Sequence, residues 1–196
     1  MFLLFIFDNI SRLLSNQLKK YSTIILLTIY ALYCPNKQNL QVVLFMALSK
    51  NFQNRFIELT DDLDEKSKSK RAKIIGISNT TYSNAYNYGI IPKTSSLIRI
   101  ADYFNISIRF LIGNTDIEHF EKSVNQVKFK ERLLDLQKEK GISTVYELSE
   151  SVHIHRNNIA QWNKSDCIPL IDDLIIVADF FKVSIDYLLG RTDDKM

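Results

Sequence analysis

The sequence predicts an all-α protein in which two similar five-helix units follow an apolar N-terminal extension. Three observations support this prediction. No stretch alternates polar and apolar residues as a half-buried strand does, apolar residues recur with helical spacing, and one long segment occurs twice. The chain has 196 residues, 46% of them apolar and 24% charged, which is typical of a globular protein of one or two domains.

The repeat aligns residues 92–116 with residues 169–193 at an offset of 77 positions. About half of the aligned residues are identical, including a proline, an Ala-Asp pair, a glycine and a Thr-Asp ending. The same offset places Phe52 on Phe129, so a single ungapped register covers about 65 residues twice. Chance is a poor explanation for an alignment of that length.

Helix boundaries are most readable in the second unit. Thr144 and Glu147 have the spacing of a capping box, in which each side chain bonds the other residue's backbone N–H. A helix is therefore expected from Thr144 to about Val152. The further expectations are a turn at His153 and Ile154, a third helix over roughly Arg156–Lys164, a fourth segment opened by Pro169, and a last short helix from Ser184 to Gly190.

Several functional classes are disfavoured. Cys34 and Cys167 lie far apart, which argues against a disulfide framework or a cysteine zinc site and favours a reducing cytoplasm. No nucleophilic triad or glycine-rich phosphate loop is visible, so we expect no enzyme, no catalytic residue, no metal and no cofactor. The net charge is only +3, and residues 117–196 hold more acidic than basic residues. Any contact with a polyanion must therefore come from local basic patches.

Residues 1–45 form the apolar extension. Their second apolar run, TIILLTIYALYC at residues 23–34, is shorter than the roughly 20 residues that span a bilayer. Three interpretations stay open: a membrane-associated helix, a helical arm that packs on the body or on a partner, and a mis-annotated start with the working protein beginning at Met46. The last is favoured because the repeat begins only a few residues after Met46.

The repeated units resemble the Cro/repressor-type (XRE) helix-turn-helix family. The second unit does so through LSESVHIHRNNIAQWN (148–163) and the ending LIIVADFFKVSIDYLLGRTD, and the first through RAKIIGISNTTYSNAY (71–86) and the corresponding ending. The resemblance implies two tandem, phage-repressor-like helix-turn-helix domains. The expected divisions are the extension at 1–45, domain 1 at 50–116, a linker at 117–125 and domain 2 at 126–193.

In this family the second helix of the motif enters the major groove, and its first, second and sixth positions face the bases. The resemblance therefore implies these base-reading residues: Arg156, Asn157 and Gln161 in the second unit, and Asn79, Thr80 and Asn84 in the first. Arginine pairs with guanine, and asparagine or glutamine pairs with adenine. Ile159 and Trp162 fall on the opposite face of that helix and are expected in the core.

Basic residues beside the motif are candidates for phosphate contacts. They are Lys68, Lys70 and Arg71 on the bracing helix of the first unit, and His155 and Lys164 at the two ends of the second unit's recognition helix. One hypothesis follows from this division: the first unit grips the DNA backbone, and the second reads bases.

Two departures from the family concern single positions. The turn glycine is kept as Gly76 in the first unit but is His153 in the second. The family has an aromatic residue or leucine at one position of the recognition helix. This position is Trp162 in the second unit but only Ala85 in the first, where the neighbouring Tyr86 is the candidate to replace the missing bulk. These differences bear more on DNA reading by the first unit than on its fold.

The favoured function is sequence-specific DNA binding that regulates transcription, as a repressor in the cytoplasm. The expected partner is double-stranded DNA, a homodimer is one open arrangement, and a membrane is a partner only if residues 1–45 are real and inserted. The alternative is an antitoxin-like or other protein-interaction helix-turn-helix module, because a fold alone does not fix function.

Overall fold

The structure is a computed structural model that describes residues 37–116, 120–124 and 127–195, with side chains from residue 49 onward. Both apolar runs of the predicted extension lie outside the described residues, as does part of the predicted linker. Every regular element in the described ranges is an α-helix, which confirms the all-α prediction. None of these helices is long and apolar enough to cross a membrane.

Helices follow one another in the same order in the two repeats. In the first repeat they are α1 (Lys37–Asp61), α2 (Lys68–Ile75), α3 (Asn79–Tyr88), α4 (Thr94–Phe104) and α5 (Ile108–Leu111). In the second repeat they are α6 (Phe129–Glu139), α7 (Val145–Val152), α8 (Arg156–Lys164), α9 (Ile171–Phe181) and α10 (Ile185–Leu188).

The predicted bounds of α7 and α8 are confirmed, whereas α9 begins two residues after Pro169 and α10 ends at Leu188 rather than at Gly190. The Glu147 N–H donates to the Thr144 hydroxyl at 3.1 Å, and the Thr144 N–H donates to the Glu147 carboxylate at 3.2 Å, so the capping box starts α7. The first repeat differs at its beginning, because α1 starts at Lys37 and continues through Met46 without a break. The expected boundary at residue 45 therefore falls inside a helix.

The chain divides into a unit of residues 1–50 and a unit of residues 51–196, and the second unit contains both repeats. The division of that second unit into two separate domains stays a prediction. Within it, α5 packs against α10, and the Thr94 hydroxyl donates to the Pro169 carbonyl at 2.6 Å. The two repeats thus contact each other, and the α5–α10 contact joins helices that are equivalent in the repeat.

Each repeat buries aromatic residues between its first and third helices. Ile159 and Trp162 are 0% and 4% exposed, as predicted, and Trp162 meets Phe129 edge to face with ring centroids 6.1 Å apart. The positions equivalent to Ile159 and Trp162 are Tyr82 and Ala85, both fully buried. The first repeat therefore places its aromatic bulk one helical turn earlier, which conserves core volume.

Tyr82 thus supplies aromatic bulk that the sequence did not single out, and Tyr86, the expected candidate, packs beside it. The Tyr82 ring meets Phe56 edge to face, with a centroid separation of 5.2 Å. Tyr86 stacks on the Tyr82 ring at 5.8 Å from the partly exposed side. A small residue at Ala85 is accommodated because its neighbours on the same face are large.

Both helix-turn-helix turns begin with a residue in the left-handed region. Gly76 has φ +81° and His153 has φ +54°, so histidine occupies a conformation that favours glycine. A Cβ atom at Gly76 would meet no other atom within 4 Å, so the cost of a side chain there comes from backbone strain rather than from crowding.

We expect His153→Gly to raise the free energy of unfolding by roughly 0.5–1 kcal/mol, because relief of left-handed strain exceeds the added entropy of the unfolded chain. Gly76→Ala is the matched control and is expected to lower it by about 1 kcal/mol for the converse reason. Urea midpoints of both variants and the parent give the comparison. Equal or lower stability of His153→Gly would contradict the strain argument.

Candidate nucleic-acid interface

The turns that join α2 to α3 and α7 to α8 share one geometry. Each has three residues: a left-handed first residue, a buried isoleucine in the middle, and the N-cap of the next helix at the end. The isoleucines Ile77 and Ile154 are 7% and 5% exposed. Because the middle residue is held in the core, the direction in which α3 and α8 leave the turn is fixed by packing.

Helix α8 displays the three predicted base-reading residues of the second repeat. Arg156, Asn157 and Gln161 are exposed, while Ile159 and Trp162 of the same helix are buried. Within the described part of the chain, these three exposed side chains make no hydrogen bond or ion pair. Their donors and acceptors are therefore available to a ligand along one face of the helix.

His155 caps the N-terminus of α8. The Asn157 N–H donates to the His155 Nδ1 atom at 3.2 Å. Because Nδ1 accepts this hydrogen bond, it carries no proton, and the proton of the neutral imidazole lies on Nε2. The ring is exposed, so the Nε2–H group can donate to a ligand. A donor beside a helix N-terminus, where backbone N–H groups also point outward, suits an anion such as a phosphate. Lys164 is exposed at the opposite end of the helix.

Helix α3 displays fewer of its predicted residues. Asn79 and Thr80 are exposed in its first turn, whereas Asn84 is only partly exposed. Ser78 caps the helix, because the Thr81 N–H donates to the Ser78 hydroxyl at 3.0 Å. The first repeat therefore presents two neutral side chains at the helix start and a partly covered amide one turn later.

The predicted phosphate contacts of α2 differ in their surroundings. Arg71 is 11% exposed, and its guanidinium bonds the Asp61 carboxylate at 2.7 Å and the Glu65 carbonyl. Lys68 is exposed, with its ammonium 3.8 Å from the centre of the Tyr86 ring. Arg71 thus ties α2 to the end of α1, while the exposed Lys68 ammonium lies over the Tyr86 ring and donates to the Asn87 side-chain oxygen at 3.4 Å.

Lys70 is 71% exposed, and its ammonium lies 3.5 Å from the Glu65 carboxylate. A hydrogen bond from the Ser67 N–H lowers the pKa of Glu65 below its ordinary value, with smaller contributions from Lys70 and Arg71. The Glu65 carboxylate therefore stays charged and reduces the positive field of its neighbours. Lys66 and Lys73 are exposed and have no ion pair among the described residues, so they extend this basic surface.

Sequence reasoning missed Arg99. Its guanidinium reaches from α4 to the Gly76 carbonyl at 3.0 Å and lies exposed beside the turn of the first motif. The equivalent residue in the second repeat is Ile176. A position-by-position comparison of the repeats would have indicated Arg99, because it places a charge where the other repeat is apolar.

One curated relative has a related sequence. The chain is 34% identical over 64 residues to the uncharacterized HTH-type transcriptional regulator YobD of Bacillus subtilis strain 168. The alignment covers 33% of this chain and 56% of that relative, so the chain spans only about half of the relative's length. No known family profile matches the chain, and no solved structure matches it.

Proposed function

We propose that this chain is a sequence-specific DNA-binding regulator of transcription that acts as a repressor by occupying promoter DNA. The observation that carries the proposal is the exposed face of α8, where Arg156, Asn157 and Gln161 project without partners among the described residues. A major groove admits one α-helix, and these residue types make the commonest bidentate contacts with guanine and adenine. The name of the curated relative, a transcriptional regulator of the helix-turn-helix type, supports the same conclusion.

The contacts around α8 supply both kinds of interaction that such binding needs. His155 and Lys164 stand at the two ends of the helix and bind phosphates, which fixes its position on the duplex. The side chains between them read base edges. On α2, Lys68 and Lys70 contribute phosphate contacts, whereas Arg71 is already held by Asp61 and contributes mainly to the fold.

We expect Arg156→Ala to weaken binding to the preferred site by about 1–3 kcal/mol and to relax the choice of one base, because the variant has no bidentate donor for that base. The preferred site comes from random-site selection with the purified chain. The measurement is a titration of the variant against the selected duplex and a scrambled duplex at several salt concentrations. Lys182→Ala is the matched control, since it removes an exposed cation of the same repeat outside the helix-turn-helix.

A double variant, Lys68→Gln with Lys70→Gln, tests the phosphate contacts. It should weaken binding to both duplexes alike. It should also make the slope of log affinity against log salt concentration shallower by about 0.9 for each phosphate that is no longer neutralised. Equal losses on both duplexes for Arg156→Ala would make that residue a phosphate contact and contradict its role as a base reader. If no variant changes binding and selection returns no sequence, a protein-interaction module becomes the better account.

A further inference from the structure

Equivalent elements of the two repeats meet each other in the unit of residues 51–196. Helix α5 of the first repeat packs against α10 of the second, and these helices occupy the same position in the repeat. Near them, the Thr94 hydroxyl donates to the Pro169 carbonyl; Thr94 is the first residue of α4, and Pro169 lies two residues before α9, so this bond joins neighbouring but not equivalent positions. Contacts between equivalent surfaces are the mark of an isologous, two-fold interface. Here that interface lies within one chain.

This contact also limits how far apart the two recognition helices lie. Helix α3 ends at Tyr88, six residues before Thr94, and α8 ends at Lys164, five residues before Pro169. An extended chain covers at most about 3.6 Å per residue, so with the width of the Thr94–Pro169 contact added, the C-terminal ends of α3 and α8 lie within roughly 45 Å of each other. Dimeric helix-turn-helix proteins bind half-sites about 34 Å apart, one turn of the duplex. The bound is compatible with that spacing.

The interface is nevertheless asymmetric in its chemistry. Asp186 is 2% exposed, and both of its carboxylate oxygens accept from the Ile108 N–H, at 3.1 and 2.9 Å. Arg191 is 5% exposed and bonds Asp186, the Asp102 carboxylate at 3.1 Å and the Ile106 carbonyl at 3.0 Å.

At the positions equivalent to Asp186 and Arg191, the first repeat has Arg109 and Asn114. Two copies of the first repeat could not form this ion pair. The charges therefore favour a contact between a first and a second repeat over a contact between two first repeats.

The exposed faces of α3 and α8 differ as well. The first has Asn79, Thr80 and a partly covered Asn84, all neutral, whereas the second begins with Arg156. We propose that a single copy of this chain binds a DNA site of two different half-sites, one read by α3 and the other by α8. This inference rests on the proposed function, and it adds that the partner is an asymmetric duplex rather than a palindrome.

The test uses the full chain and duplexes obtained by random-site selection, with the mass of the complex measured by sedimentation. We expect two non-identical half-sites at a fixed separation and a complex of one 22.8 kDa chain per duplex. Asn79→Ala should relax base choice in one half-site only, and Arg156→Ala in the other only. Insertion of about five base pairs between the half-sites, half a turn, should weaken binding because it rotates one half-site away from its helix.

A second pair of variants addresses the contact between the repeats. Asp102→Ala removes the carboxylate that holds Arg191, whereas Asp179→Ala removes the equivalent carboxylate of the second repeat, which is exposed and has no ion pair among the described residues. We expect Asp102→Ala to lower affinity for the two-part site about ten-fold while leaving affinity for an isolated half-site unchanged, because the repeats are then held less rigidly. Asp179→Ala should change neither affinity.

Four results would overturn the inference. Two chains on a palindrome, or one chain on a single selected half-site, would do so while leaving the proposed function intact. Failure to select any sequence would overturn the proposed function and the inference together. Equal effects of Asp102→Ala and Asp179→Ala would contradict the role assigned to the contact between the repeats.

Discussion

Replacement of Trp162 by alanine is expected to lower the free energy of unfolding by about 3–5 kcal/mol, the usual cost of deleting a large buried aromatic side chain. Trp162 is 4% exposed and packs edge to face on Phe129, so it joins the recognition helix α8 to the first helix of its repeat. No larger neighbour on its helix face substitutes for it, because the adjacent inner position is Ile159. Denaturant titration followed by circular dichroism measures the loss.

Gln161→Ala is the control, since it changes the neighbouring residue on the exposed face of the same helix and should cost less than about 0.5 kcal/mol. Trp162 is also the single tryptophan of the chain, so its fluorescence reports burial in the parent protein. A loss below about 1 kcal/mol for Trp162→Ala, together with weakened DNA binding, would mean that the ring lies on the surface and contacts the ligand.

The helices of the second repeat could be predicted because their ends depend on local chemistry. Thr144 and Ser184 accept from backbone N–H groups in the first turn of the following helix, and such caps have fixed spacings in the sequence. The burial of Ile159 and Trp162 followed from the family resemblance, which assigns one face of this helix to DNA, together with helical periodicity, which places both residues on the opposite face. The repeat then extended these predictions to the first unit, where α3 begins one residue after its cap, Ser78.

Long-range pairings could not be predicted in the same way. Arg71 looked like one more cation of a basic run, but the fold brings it to Asp61, ten residues earlier on another helix. The exchange of bulk between Tyr82 and Ala85 depends on which neighbours share a cavity, which periodicity does not specify. Only a position-by-position comparison of the repeats could have indicated such exchanges.

The contact between the repeats was missed for the same reason. Asp186 and Arg191 are five residues apart and resemble ordinary surface charges, yet the packing of α10 on α5 buries both. Burial penalises a charged carboxyl strongly, so charges at such positions are retained only when each has a partner. The partner groups Asp102 and Ile108 come from the other repeat, out of reach of any local pattern.

Asp186→Ala is therefore expected to lower the free energy of unfolding by about 3 kcal/mol, because it breaks the buried ion pair and leaves the Arg191 guanidinium with only the partly exposed Asp102 carboxylate as counter-charge. It also removes the acceptor of the buried Ile108 N–H. Burial raises the pKa of the Asp186 carboxyl, and the nearby Arg191 charge opposes that effect. Asp179→Ala is the control, because it removes an exposed carboxylate of the same repeat and should cost less than about 0.5 kcal/mol.

Asp186→Asn combined with Arg191→Met separates the ion pair from the packing around it. The asparagine keeps an acceptor for the Ile108 N–H, and the methionine fills the space of the arginine stem without a charge. Since each single change leaves one charge buried and the double change leaves none, we expect the double variant to cost about 1–3 kcal/mol less than the two single losses together. Additive losses, or a cost of Asp186→Ala below about 1 kcal/mol, would mean that the buried contact between the repeats does not form in solution.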